Sequence, residues 1–313
     1  IAFLLEQASG SSVKLYPKAC VTTSQTDEKL APLRELHAAG TVSFSNHKAP
    51  IKNANTLKLA LQYANDFDGI VESFAYNNEM ANGGVMHEGA VSTALGLKGI
   101  PSVAESMQLQ RDLDILEYAN GKLHIPTLST EASVALIKTA KKIKQDVSCS
   151  VAIHNLFFTD EALQGFNANA KLLPPLRKKS DQKALKKALL DGVIDMVTSD
   201  HQPLNSELKT VELDQAHFGS IGLEHSFGCL LSMFSIEQTI EILTRGKNRF
   251  GIVEHTIEVG ATADITLFTP SGSFEITKAS ISSGSKNSLF IGHALPGKVY
   301  GVIAQGKSQV YNA

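Results

Sequence analysis

Few cysteines, no excess of charge of one sign and no long apolar run set the first limits on this sequence of 313 residues. Its three cysteines, Cys20, Cys149 and Cys229, are far apart and odd in number. They form no CxxC pair, which argues against a disulfide framework or a zinc knuckle and fits a reducing, cytoplasmic setting. The formal net charge is only −2. Nucleic acid and anionic membranes are bound through strong basic patches, so neither is expected as a partner. No apolar run approaches the ~20 residues needed to span a bilayer. Internal repeats and low-complexity segments are lacking, and no signal peptide is visible. The chain opens on Ile1 within a helical pattern, IAFLLEQA, so the natural protein is expected to extend upstream.

What is present is ordinary globular material, 43% hydrophobic and 19% charged, enough to build a large core. Its length suits one barrel domain or two smaller domains. Short apolar runs alternate with longer helical patterns. VKLYPKAC, TVSFS, GIVESF, KLHIPTLS, DVSCSVAI and IDMVTSD read as strands. KLAPLRELHAAG, TLKLALQYAND, SMQLQRDLDILEYANG, SVALIKTAKKIK and SDQKALKKALLDG read as the helices between them, several closed by glycine. Near-continuous apolar strands at this spacing indicate about six parallel βαβ units covered on both faces. SIEQTIEILTR is a further helix, and ADITLFTP and KVYGVIAQGKSQVY are short strands of a small β-structure. The basic run LRKKSDQKALKK is read as a solvated helix face.

In parallel α/β folds chemistry sits at the C-terminal ends of the strands. Those ends carry Asn46 and His47, Ser73, Thr127, His154 and Asn155, and Asp200 and His201. An acid closing a strand, as Asp200 does in IDMVTSDHQP, caps a turn or serves chemistry, and the pattern alone leaves both open. His124, inside a strand, and Cys149 are read as buried and structural. His87 and Glu88 are read as organising a loop.

The stretch NGGVMHEGAVSTALGLKGIPSVAES, together with LSTEASVALIKTAK, LLPPLR, DGVIDMVTSDHQP, HFGSIGLE, GATADITLF and SKNSLFIG, resembles the dihydroorotases of the amidohydrolase superfamily, particularly the bacterial type I class. The resemblance implies an amidohydrolase-type (β/α)8 TIM barrel entered at about strand three. Residues 1–250 would form the barrel, and 251–313 would complete a small flanking β-subdomain. It also implies zinc-assisted opening of a cyclic amide. Zinc polarises the carbonyl and lowers the pKa of a bound water, and an aspartate moves the proton. Asp200 matches that aspartate, as both metal ligand and catalytic group.

Other positions depart from the family pattern. Asn46 and His47 stand in place of the acid after strand four. Ser73 and Thr127 stand in place of histidine ligands, and neither hydroxyl is a normal zinc ligand. Leu173 and Leu204 replace an asparagine and a histidine that contact substrate. His201, Phe218 and Gly219 are expected around the pocket. No HxH pair occurs. The expectation is therefore a dihydroorotase-like protein of pyrimidine biosynthesis with a degenerate metal site and weak or no activity, a structural or regulatory homologue. Aspartate transcarbamoylase or a second copy of the chain would be its partner. The alternative is an active zinc-dependent dihydroorotase interconverting dihydroorotate and carbamoyl aspartate.

Overall fold

The computed structural model describes residues 1–25 and 29–311. In chain order its strands are β1 Lys18–Ala19, β2 Ser43–Ser45, β3 Ile70–Glu72, β4 Met86–His87, β5 Gly99–Ile100, β6 Lys122–Ile125, β7 Val147–Ala152, β8 Met196–Thr198, β9 Asp264–Glu275, β10 Ala294–Ala304 and β11 Lys307–Val310. Six of them form one sheet in the order β1-β2-β3-β6-β7-β8. Every neighbouring pair in that sheet is parallel. Parallel neighbours need crossover connections, and the helices Leu33–Ala38, Ala54–Asn65, Val103–Ala119, Glu131–Lys142 and Lys179–Leu190 lie within them. The sheet curls: residues of β1 and β8, its two end strands, line the same cleft.

The helices form where the pattern placed them. In Ala54–Asn65 the buried residues Leu57, Ala60, Leu61 and Ala64 recur at helical spacing, and the Asn53 side chain accepts from Asn55 N–H at 2.9 Å. Ile236–Thr244 opens with a reciprocal cap between Ser235 and Gln238. The main core lies between the sheet and these helices, around Phe44, Leu61, Leu109, Leu123, Ile137 and Leu185. A second cluster gathers Phe158, Leu172, Leu176 and Phe290. The C-terminal sheet is antiparallel, ordered β11-β10-β9. Residues 10–12 reach it from the other end of the chain: Gln305 donates to the Ser11 carbonyl at 3.2 Å and Ser12 Oγ to Gln309 Oε1 at 3.1 Å.

The parallel strands are shorter than their apolar runs. VKLYPKAC is paired only at Lys18–Ala19, because Pro17 has no N–H to give a ladder and uses its carbonyl on Val42 N–H at 3.0 Å. KLHIPTLS stops at Ile125, before Pro126 and before Thr127, whose φ is +51°. ADITLFTP is longer than expected and continues to Glu275. The ribbon of β4 and β5 escaped the pattern, since two residues are too few to show a period.

Part of the stretch NGGVMHEGAVSTALGLKGIPSVAES is structural. Glu105, only 2% exposed, lies in the helix Val103–Ala119. Its carboxylate accepts from Ser129 N–H at 3.1 Å, and from Thr130 N–H at 3.0 Å and Oγ1 at 2.9 Å. It thereby fixes the loop after β6 and the start of the helix Glu131–Lys142, where a negative charge is favoured. Replacing Glu105 by Ala strands two buried N–H groups. The expected loss is about 3 kcal/mol of unfolding free energy. Urea denaturation will register it as a lower midpoint with an unchanged slope.

Candidate functional site

The C-terminal ends of the parallel strands surround a cleft of about 600 Å³. Lys18, Ser45, Glu72, Phe74, His124, Thr127, Ser150, Thr198, Asp200 and Phe250 are among its walls. Strand side chains alternate between faces, so Glu72 and Phe74 look into the cleft and Ser73 does not. Ser73 Oγ instead donates to Asp112 Oδ2 on the helix Val103–Ala119 at 2.7 Å. The rim position expected for Ser73 is thus held by Phe74, whose ring stacks on Tyr76.

Two ion pairs cross the cleft. In one, Lys48 Nζ lies 2.9 Å from Asp200 Oδ2 and also donates to the Leu173 carbonyl. Burial lowers the Lys48 pKa, and Asp200 works against that shift. In the other, Lys18 Nζ sits 2.7 Å from Glu72 Oε1, which accepts from Ser43 Oγ at 2.7 Å. Burial pushes the Glu72 carboxyl up, but Lys18, His124 and Ser43 overcome it and hold it below the usual carboxylate range. His124, beside Glu72 in the β3–β6 register, meets Ser148 Oγ through Nδ1 at 2.9 Å.

The backbone around Asp200 is unusual. Asp200 has φ +44° and Thr127 has φ +51°, a region most non-glycine residues avoid. The Thr127 hydroxyl is buried and has no hydrogen-bond partner among the described residues. Both ring nitrogens of His154 are likewise unpartnered among them. Two glycines let the chain close over this region. A Cβ on Gly222 would lie 2.4 Å from the Ser199 carbonyl oxygen and 2.8 Å from His154 Cε1. Gly219 has φ +137°, and its Cβ would meet Gln202 at 2.9 Å. Asn287, from the C-terminal segment, ties the same loop by accepting from Leu204 N–H at 3.2 Å and donating to the Gln202 carbonyl at 2.9 Å.

The residues singled out from the sequence separate into two groups. His47, Thr127, Asp200 and His201 line the cleft. His47 reaches Gln202 at 3.4 Å, and its pKa is lowered by burial and by Lys48. His201 Nδ1 accepts from Leu223 N–H at 3.3 Å. Asn46 is spent on structure: its Oδ1 accepts from Val21 N–H at 3.0 Å and Thr22 N–H at 3.3 Å, and its amide donates to Thr22 Oγ1. Leu173 and Phe218 pack together against Ala81, Ile100 and Ala104, and Lys171 Nζ lies 4.9 Å from the Phe218 ring centre. Leu204 borders a separate groove with Lys209 and Lys286.

Sequence reasoning passed over Lys18, Lys48 and Glu72. Glu72 had a visible signal, an acid within an apolar strand. Lys48 had none, since a lysine in a loop usually points to water.

These side chains do not fit a zinc ion. Among the described residues no three His, Cys, Asp or Glu side chains converge. Asp200 faces an ammonium, Asn46 is consumed by backbone N–H groups, Ser73 points away, and Phe74 and Thr127 offer a ring and a neutral hydroxyl. What the cleft offers chemically is two fixed cation–anion pairs, a free hydroxyl and neutral imidazole.

A family model described as Dihydro-orotase-like matches residues 5–133. The dihydroorotase of Pelotomaculum thermopropionicum is 36% identical over 314 residues, covering 98% of this chain and 74% of the relative. That of Acetivibrio thermocellus is 38% identical over 301 residues, covering 94% and 71%. Among solved structures, an L-hydantoinase from Arthrobacter aurescens superposes with a TM-score of 0.82 at 22% identity, covering 96% of this chain and 70% of that one. A dihydroorotase from Saccharomyces cerevisiae in complex with 5-fluoroorotic acid gives 0.70 at 14% identity, covering 97% and 85%. The curled parallel sheet therefore shares the fold of these hydantoinase and dihydroorotase structures, in line with the barrel-type α/β fold expected from the sequence.

Burial holds the imidazoles of His124 and His154 down at about 4. In the unfolded chain they titrate near ~6.5. Between those values the unfolded state takes protons that the native state refuses, so stability is full above the upper value and lost as the pH falls towards the lower. Each histidine adds up to about 1.4 kcal/mol per pH unit to that slope. Urea titrations from neutral pH downwards should show it, and His124→Gln should make it shallower.

Proposed function

The chain belongs to the dihydroorotase-like family, and from that premise we propose a protein of pyrimidine biosynthesis whose ring-opening centre is degenerate. It serves as a structural or regulatory homologue in place of a full hydrolase. One observation carries this reading: of the rim positions that family resemblance assigns to ligands, only Asp200 and His47 bring an acid or imidazole to the cleft, Asp200 is paired with Lys48, and the chain just after β3 turns Phe74 inwards where a ligand would be needed. Hydrolysis of a stable cyclic amide at neutral pH relies on a polarised carbonyl and an activated water. A hydroxyl and a phenyl ring supply neither. The partner this reading implies is aspartate transcarbamoylase, which co-purification from cells tests directly.

The decisive measurement is ring opening of dihydroorotate by the purified protein, with and without added zinc, beside the Pelotomaculum thermopropionicum enzyme. The expected rate is lower by at least about 1,000-fold, on the order of what the loss of transition-state charge stabilisation removes. A zinc-dependent rate comparable with that relative's would overturn the proposal. Imidazoles introduced at Phe74 and Thr127 would face the cleft, whereas Ser73→His would send one towards Asp112.

A further inference from the structure

Lys48 is a built feature of the rim. The loop that carries it is clamped on both sides. Asn46 is locked onto residues 21–22 by three hydrogen bonds, and Ala49 N–H closes a turn on the Asn46 carbonyl at 3.1 Å. From that anchor the side chain crosses to two other segments, reaching Asp200 at the end of β8 and the Leu173 carbonyl. Its side chain is 14% exposed and that of Asp200 8%. Asp200 holds φ +44°, with its N–H on Thr198 Oγ1 at 3.3 Å, so the carboxylate is aimed by a backbone that is itself constrained. A carboxylate this far from water needs a cation beside it. Here the chain supplies that cation covalently.

We infer that Lys48 is a tethered cation that takes the place of a divalent ion beside Asp200 and closes this rim to metal. An ammonium is a single positive charge with hydrogens directed at its acceptors. It has no vacant coordination position and carries no activated water. A divalent ion entering beside Asp200 would meet that positive charge at close range and would compete with it for the same oxygen. The pair also joins three loops, so the rim keeps its shape without any exchangeable ion. The inference deepens the degenerate-centre reading, but it concerns what occupies the charge position, not turnover.

The test is metal uptake together with a charge-pair cycle. Cobalt chloride titrated into the purified protein should raise no visible absorption bands from a protein-bound ion. Neither zinc chloride nor dialysis against dipicolinate should move the Tm. Lys48→Met and Asp200→Asn should each lower the Tm, by about 5 °C or more, because each strands a buried partner. The double variant, which removes both charges, should recover most of the loss. Stoichiometric cobalt bands in the wild-type protein, or a double variant that loses the sum of the single effects, would overturn the inference. The two readings fail separately. A protein that binds zinc yet does not open the ring keeps the degenerate-centre reading and loses this one. Ring opening that needs no metal does the reverse.

Discussion

A charge drawn out of water has to find an opposite charge or a set of donors nearby, and this requirement organises the curled sheet and the helix Val103–Ala119 packed on it. Glu72 is met by Lys18 and Ser43, Asp200 by Lys48, Asp112 by Arg111 and Ser73, and Glu105 by the N–H groups that open the next helix. Each of these carboxylates has a cation or a set of donors within hydrogen-bonding distance. The same pairs hold the strand ends and loops in register.

The second constraint is the two-residue period of a strand. It decides, from one position to the next, which side chains reach the cleft. In β3 and its extension Glu72 and Phe74 face inwards, and Ser73 faces the helix Val103–Ala119. A shift of one residue in matching the family's histidine would pass unnoticed in the sequence. In space it exchanges a pocket wall for a helix contact.

Backbone conformations at the strand ends complete the site. Thr127 and Asp200 occupy the left-handed region, and Gly219 and Gly222 allow the loop from 217 to 224 to press against Gln202, Ser199 and His154. Asn287 then fastens that loop to the C-terminal segment. This explains why HFGSIGLE and SKNSLFIG, more than 60 residues apart in sequence, both belong to the recognisable pattern.

By itself the sequence determined the strand–helix alternation, the parallel sheet and the family, because these rest on periodicity and on long collinear motifs that need no third dimension. It also marked Asp200 and the absence of imidazole at Thr127. Only the tertiary structure decided that Ser73 lies outside the cleft, that Asn46 is a loop clamp, and that Lys48 reaches Asp200 across 152 positions of chain. The reason is physical. A hydrogen bond or an ion pair is set by a few ångströms of separation, and which residues come that close is fixed by how the strands curl and where the loops are tied.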